Sequence, residues 1–419
     1  MPGSTTSRPR GLLAARRRSP LLRLVALAAG LASLTFLAAL APAAGGEASD
    51  VTSAGALQDG CRRCKGRGVK DCPKHDDIDR DFEGRVLFCS VAAGCEDCGG
   101  TLVIDCDRCD GGPESAAAEE RRAAITAWME RSEVAKHFER NVPRCETDHF
   151  ELVLDVAGKF KVGRKKIDGH RLMHLVADDT SFVAAGVAEH FEVKPEEDYF
   201  AKMRMWMWPT SEDHVEAVRA FMNTSARGDF KLLGRDPVFS VWQEPGLFAT
   251  AQGIRTVFTH NASHMLVSNL LRELDISPHG GGWLDAGLGH WHEYARFDRS
   301  VQYCIEEASA LDNFSNGVWR AAIRKMCERA ASKGRTLLPS LFNKTTTSMT
   351  APEQAICWSF YDWLVAEHPS ALRPILMGLK QKTDARELLE EHIGMGLLKA
   401  EEAWREWVSS TYPKKEKTR

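Results

Sequence analysis

The chain carries two copies of a paired-cysteine pattern, and this repeat constrains the fold more than any other feature of the sequence. In each copy, two residues with CxxC spacing are followed by seven other residues and then by a second pair with the same spacing. The eight paired residues are Cys61, Cys64, Cys72, His75, Cys95, Cys98, Cys106 and Cys109. Tight CxxC turns let two side chains reach one tetrahedral zinc ion. The repeat therefore predicts a Cys-rich twin zinc-binding module at residues 61–112.

We expect two structural zinc ions in this module. The direct assignment gives one ion to the four residues of the first copy, 61–75, and the other to the four residues of the second copy, 95–109. Disulfides are the alternative, since neighbouring CxxC pairs can oxidise in an exported protein. So short a segment cannot bury a core alone, and bound metal would provide its folding free energy. Cys89, between the copies, is either a further ligand or a free thiol.

The two copies resemble the CxxCxGxG units of the DnaJ cysteine-rich region. The glycine pattern of that family is intact only in the first half of the first copy, at Gly66 and Gly68, and a J-domain is absent from the sequence. The resemblance therefore implies zinc binding but no co-chaperone activity. It also leaves open an interleaved pairing, in which each ion takes one pair from each copy.

The N-terminal 43 residues have the composition of a targeting segment. Three arginines at 16–18 precede an apolar run at 24–41, and Ala-Pro-Ala at 41–43 has the small residues of a signal-peptidase site. We interpret 1–43 as a signal peptide or a membrane anchor and 44–60 as a linker. Both interpretations place the body of the protein outside the cytoplasm, in the periplasm or the extracellular space.

The charge of the chain argues against nucleic acid as a partner. The whole chain has a formal net charge of −3, but six arginines and no acidic residues lie in residues 1–43. The remainder has 49 basic and 58 acidic residues, a net charge of −9. An acidic body lacks the positive surface that phosphate backbones require. We expect membrane contact only through an uncleaved N-terminal segment.

The rest of the chain predicts a helical connector at 113–145 and an α+β domain at 146–415. Period-two alternation predicts three strands, and longer periodicity predicts an amphipathic helix between the first two. The strands are 150–155, 202–208 and 238–242, the helix is 170–191, and helical patterns dominate from 253 to 408.

A candidate metal site lies where the strands give way to helices. His260 and His264 are four residues apart, so a helix would present both on one face. Such a pair can share a metal ion, although a buried structural pair has the same pattern. A second segment, Gly280–Tyr294, follows with the sequence GGGWLDAGLGHWHEY.

Together, HNASH at 260–264 and WLDAG at 283–287 resemble the gluzincin metallopeptidases, in particular the peptidase MA-like proteins. In that family the first helix carries HExxH and the second begins WLxEG. The resemblance extends over about 145–410. It implies a zincin fold with a mixed sheet followed by a mostly helical half. It also implies a zinc ion held by two histidines and a glutamate, beside a glutamate that acts as general base.

This sequence departs from the family at both critical positions. Asn261 occupies the general-base position and has no useful basicity. Ala286 occupies the third-ligand position and has no donor atom. His290, one turn further along, could complete a three-histidine site. Asp285 points about 100° away around the helix, and Glu293 lies two turns off. We therefore expect the third metal ion to be weakly held or absent unless His290 completes the site.

These features predict an exported zinc-binding protein whose gluzincin-like domain is a pseudo-peptidase that binds a protein or peptide. One alternative is an active metal-dependent peptidase or hydrolase that uses His260, His264 and His290. Another is a structural scaffold for the DnaJ-like zinc module. Cys304 and Cys327 could also form a disulfide in an oxidising compartment.

Overall fold

A computed structural model of the chain describes residues 61–75, 85–109, 111–194, 198–304 and 318–415. All of them belong to one unit of the chain, Leu57–Arg419. The predicted targeting segment and linker, residues 1–60, lie outside the described residues. Across the described ranges, no helix has both the length and the apolar character that a membrane span requires.

The strands of the described residues form three sheets. In chain order the strands are β1 (Val69–Asp71), β2 (Phe88–Cys89), β3 (Val103–Asp105), β4 (Arg144–Glu146), β5 (Phe150–Leu154), β6 (Phe160–Val162), β7 (Lys165–Ile167), β8 (Met203–Trp208), β9 (Phe230–Leu232) and β10 (Val238–Trp242). The main sheet has the order β2-β4-β5-β8-β10-β9. β1 pairs with β3, and β6 pairs with β7, as separate two-stranded sheets.

The main sheet is mixed. Its centre consists of the parallel strands β5, β8 and β10, and the flanking strands β4, β2 and β9 are antiparallel to their neighbours. β8 is buried at every position except Arg204, as expected of a central strand covered on both faces. Because β2 belongs to the segment between the two cysteine repeats, the Cys-rich module contributes one edge strand to the main sheet.

In the module itself, β1 and β3 pair antiparallel, with Lys70 opposite Ile104. Gly68, just before β1, has a φ of +84°. A Cβ atom there would lie 2.1 Å from the backbone nitrogen of Gly112. The absence of a side chain therefore lets the start of β1 lie against the end of the module.

Helices dominate the second half of the described chain. In chain order the α-helices are α1 (Ser90–Ala93), α2 (Pro113–Arg131), α3 (Glu133–His137), α4 (Gly169–His190), α5 (Ser211–Met222), α6 (Ala251–Asn269), α7 (Gly282–Phe297), α8 (Arg320–Ser332), α9 (Ala351–Glu367), α10 (Leu372–Lys380), α11 (Ala385–Ile393) and α12 (Leu397–Thr411).

The central helix of this half is α6. Its N-cap is Thr250, whose side chain accepts a hydrogen bond from the backbone nitrogen of Gly253, and threonine is a favourable residue at that position. Every residue from Thr256 to Asn269 is buried, because α6 packs against α4 and α7. α7 in turn packs against α9. Side chains at the middle of α6 therefore lie in the interior, where neighbouring elements fix their positions.

The predicted elements agree with this architecture. The three predicted strands correspond to β5, β8 and β10, and the predicted helix 170–191 corresponds to α4. The connector is helical, as α2 and α3. The mixed sheet and the mostly helical half are confirmed, while the further assignment to a gluzincin-like fold stays a prediction.

Candidate metal centres

The first candidate centre is the four-cysteine cluster, formed by Cys61, Cys64, Cys106 and Cys109. The sulfur atoms of Cys61 and Cys106 are 3.7 Å apart, and those of Cys64 and Cys109 are 3.6 Å apart. A tetrahedral zinc ion with Zn–S bonds of about 2.3 Å holds its sulfur ligands about 3.8 Å apart. The separations therefore fit a closed zinc site.

The second candidate centre is the mixed four-donor cluster, formed by Cys72, His75, Cys95 and Cys98. The sulfurs of Cys72 and Cys95 are 3.9 Å apart, and His75 Nε2 lies 3.1 Å from Cys98 Sγ. Burial and the neighbouring thiols of Cys95 and Cys72 raise the pKa of Cys98 to about 11. A bound cation would stabilise the thiolate form that burial and the neighbouring thiols disfavour. The donor set therefore fits zinc.

The structure corrects the direct pairing, in which each ion takes the four residues of one copy. Each cluster instead combines one pair from each copy, the interleaved arrangement. The physical reason is the β1–β3 ladder: the backbone nitrogen of Cys72 donates to Leu102, and that of Cys106 donates to Gly68. Antiparallel pairing of these strands places the first knuckle of one copy beside the second knuckle of the other. All twelve cysteines lie in the described residues, and none of them forms a disulfide.

The third candidate centre is the α6 cluster, formed by His260, His264 and Cys304. The Nε2 atoms of the two histidines are 3.0 Å apart. Cys304 Sγ lies 3.1 Å from His260 Nε2 and 3.4 Å from His264 Nε2. An imidazole nitrogen has one hydrogen or one lone pair to share, yet each Nε2 here has two neighbours within hydrogen-bond distance. Three convergent N and S donors suit a zinc ion.

Buried carboxylates lie near the Nδ1 atoms of both imidazoles, on the side of each ring away from the converging Nε2 atoms. Asp285 Oδ1 is 2.7 Å from His264 Nδ1, and Thr346 Oγ1 donates to Asp285 Oδ2 at 2.7 Å. Glu293 Oε2 lies 3.4 Å from His260 Nδ1. Metal-binding histidines usually direct the second ring nitrogen toward such a group, which fixes the ring and its tautomer. The two acids therefore lie where they can orient the imidazoles.

The charges around Cys304 favour a thiolate. Lys231, on β9, donates to Cys304 Sγ at 3.3 Å. Burial alone would raise the pKa of Cys304, but Lys231 and the two histidines lower it well below its usual value. Burial alone would lower the pKa of His260, but Cys304 and Glu293 raise it to about 9. The cluster thus carries buried charge, and a metal ion can replace its protons.

The structure brings together only two of the three histidines that the sequence indicated. His260 and His264 share the cluster, but Cys304 joins them and His290 does not. Both ring nitrogens of His290 have other partners, Ser300 Oγ and Gln354 Oε1, each at 2.8 Å. A second possible donor group, His260 with His290 and Glu293, lies on the Nδ1 side of His260.

The two positions that depart from the family pattern have other surroundings. The Asn261 side chain donates to the backbone oxygen of Val257 at 2.9 Å, within its own helix. Ala286 belongs to the buried apolar core. α7 approaches the histidines through Gly289, where a Cβ atom would lie 3.0 Å from His264 Nε2. Gly289 allows this close approach, so the third donor comes from beyond the helix, at Cys304.

Sequence reasoning missed Cys304 as a ligand and assigned it to a possible disulfide with Cys327. Cys327 instead lies buried in α8 as a free thiol. One sequence signal was available: a cysteine close behind the segment that carries the second half of the resemblance. Cys89 lies apart from both module clusters, with its sulfur 3.4 Å from His170 Nε2.

No family model, curated protein or solved structure matches this chain. The two family resemblances therefore rest on the motifs quoted above. What the structure itself establishes is coarser: clusters of cysteine and histidine side chains, two of them with four donors, whose composition and spacing are compatible with zinc.

Proposed function

We propose that this chain is an exported zinc protein whose larger domain is a gluzincin-like pseudo-peptidase. In this proposal, two structural zinc ions hold the Cys-rich module. The larger domain keeps a metal ion at the α6 cluster but binds an extended peptide or protein segment without hydrolysing it.

The observation that carries the loss of hydrolysis is the direction of the acidic side chains around the cluster. Asp285 and Glu293 face the Nδ1 atoms of the histidines, away from the converging donor atoms. Glu293 also accepts hydrogen bonds from Ser300 Oγ and the backbone nitrogen of Val301. Asn261, at the general-base position, donates to its own helix. Asp285 is therefore engaged with the His264 imidazole, and Glu293 with Ser300 and Val301. Neither carboxylate is placed to accept a substrate proton.

Peptide binding is supported by the position of β9. This strand is the last in the main sheet and pairs with β10 alone among the described strands. Its Lys231 contacts Cys304, so this edge of the sheet, unpaired among the described strands, runs beside the α6 cluster. Leu232, on the same strand, is an exposed apolar side chain. An extended peptide can add to such an edge through backbone hydrogen bonds.

His260, His264 and Cys304 would hold the metal ion. Bound there, zinc supplies a Lewis acid that can attract a carbonyl or carboxylate oxygen. The residues of the chain would do the rest: β9 would align the peptide backbone, and Lys231 would offer positive charge beside the cluster.

The test uses the zinc-loaded full chain and a library of fluorescent extended peptides. We expect saturable binding with no cleavage of either peptides or casein. Leu232→Lys should weaken binding about tenfold, because burial of a leucine side chain contributes roughly 1.5–3 kcal/mol. Leu398→Lys, which changes an exposed leucine on α12, is the matched control and should leave binding unchanged. Equal binding by the two variants would contradict the proposed edge.

The active-hydrolase alternative is favoured by one observation, the carboxylate-oriented imidazoles of a three-donor site. Catalytic zinc sites typically have three protein ligands and one further position. Metal-dependent cleavage of peptides by the unmodified chain, abolished by His260→Ala, would support this alternative and overturn the pseudo-peptidase proposal.

A further inference from the structure

A separate cluster of donor atoms lies where the segment between the cysteine repeats meets the larger domain. Cys89 ends β2, and His170 and His174 lie four residues apart in the first turns of α4. Cys89 Sγ is 3.4 Å from His170 Nε2, and the Nε2 atoms of the two histidines are 3.1 Å apart. The three donor atoms all lie within 4.8 Å of one another. The side chains of two residues on one helix and of one residue at the end of a strand thus bring their donor atoms together.

Their arrangement repeats the chemistry of the α6 cluster with different elements. Each cluster combines two histidines at i and i+4 on one helix with a cysteine from elsewhere in the chain. His170 Nε2 has one hydrogen or one lone pair to share, but it has two partners within reach. Neutral imidazole and thiolate are the donors that zinc prefers. Hydrogen bonds alone cannot use both contacts of His170 Nε2, whereas one metal ion could accept a lone pair from each of the three groups.

We propose that Cys89, His170 and His174 form a three-donor site for zinc, distinct from the other candidate centres. Cys89 and His174 are buried, with exposed fractions of 8% and 3%. Both also line a cavity of about 20 Å³. A single water needs about 10–15 Å³, so the cavity has room for one small ligand beside Cys89 and His174.

The consequence of this site is a cross-link between the module and the domain. Cys89 and His170 are 81 residues apart in the sequence. A bound ion would fix the edge strand β2 against the start of α4. Arg85, near β2, also forms an ion pair with Asp178 of α4. The segment between the two repeats would thereby be held to the larger domain at two places.

The test compares the zinc content of the full chain with that of two cysteine variants. Cys145 lies directly opposite Cys89 in the β2–β4 pair and is also buried, so Cys145→Ser is a matched control. Purified Cys89→Ser should contain about one zinc ion per chain less than the unmodified protein, and Cys145→Ser should lose none. Inductively coupled plasma mass spectrometry gives these values.

A second variant keeps the test independent of how Cys89→Ser folds. His170 is only partly buried, so His170→Gln should fold normally and should also lose about one zinc ion per chain. In the cobalt-loaded protein, the thiolate charge-transfer band should weaken in Cys89→Ser but not in Cys145→Ser. Full zinc content in a folded His170→Gln protein would overturn the proposal.

Discussion

In this account, the fold of the Cys-rich module depends on its metal ions, whereas the metal site of the α6 cluster depends on a fold that already exists. The module gathers eight donors from tight turns in a short segment whose regular structure is small. The α6 cluster gathers three donors, two of them from a helix whose middle is buried on all sides. A four-donor site is closed and holds a fold together, whereas a three-donor site on a rigid helix leaves room for a ligand.

The surroundings of the two regions differ in the same way. Buried carboxylates lie beside the Nδ1 atoms of the α6 cluster: Asp285 Oδ1 is at hydrogen-bond distance from His264, and Glu293 Oε2 lies 3.4 Å from His260. In the module, charged side chains instead form exposed pairs on the surface, such as Arg63 with Asp107. The comparison teaches that metal should be required for folding in the module and should be dispensable for folding in the larger domain.

Metal removal is the strongest test of this difference. Structural zinc contributes about 10–16 kcal/mol of binding free energy per ion in small zinc-dependent folds. A strong chelator should therefore unfold residues 61–112 and leave most of 146–415 folded. Hydrogen exchange should show the loss of protection in the module alone. A module that stays protected from hydrogen exchange without zinc would contradict this difference between the two regions.

Loss of the third donor should remove the metal from the α6 cluster. Cys304→Ser should lower zinc affinity there by more than about a hundredfold, since even outer ligand partners contribute about 10–100-fold. The matched variant is His290→Gln, which changes the histidine that the sequence indicated. Competition with a chromogenic chelator should show normal affinity for His290→Gln. A lower zinc affinity in His290→Gln than in Cys304→Ser would instead support the three-histidine site.

The orienting acids should have a smaller effect. Asp285→Asn should weaken zinc binding at the α6 cluster by about 10–100-fold, because the amide cannot hold the His264 ring as the carboxylate does. Asp362→Asn is the control, since that carboxylate accepts from Trp291 and Tyr412 instead. Isothermal titration with zinc measures both affinities. Equal affinities would mean that Asp285 has no orienting role.

The smallest expected effect on zinc affinity is that of a substitution at Gly289, where α7 crosses α6. Gly289→Ala would place a Cβ atom 3.0 Å from His264 Nε2, so the ring must move by a few tenths of an ångström. We expect zinc affinity to fall several-fold while the melting temperature changes little. Gly228→Ala, at a position where nothing lies within 4 Å of the added Cβ atom, should change neither quantity. Unchanged affinity in Gly289→Ala would show that the crossing tolerates a side chain.

Local patterns in the sequence were sufficient for the three parallel strands at the centre of the main sheet and for the helix between the first two of them. The alternation at 202–208 and 238–242 corresponds to β8 and β10, because strands in a packed sheet show their period directly. The spacing of His260 and His264 also identified a shared helix face. In the module, the repeat identified all eight donors that the two four-donor clusters contain.

The features that escaped prediction depend on contacts between distant segments. The interleaved pairing follows from the antiparallel register of β1 and β3, which the spacing of cysteines does not specify. Cys304 lies 40 residues after His264. It ends the described residues 298–304, which have no helix or strand, so no periodicity marks it. Asp285 and Glu293 face the histidines only because α7 crosses α6 closely at Gly289.

The central claim is that the larger domain keeps a metal ion at His260, His264 and Cys304. Anomalous diffraction at the zinc edge, from crystals of the full zinc-loaded chain, tests it most directly. The account predicts an anomalous peak between the two Nε2 atoms and Cys304 Sγ. It also predicts one peak in each four-donor cluster of the module and one among Cys89, His170 and His174. Peaks in the module with none among these three donors would contradict the account.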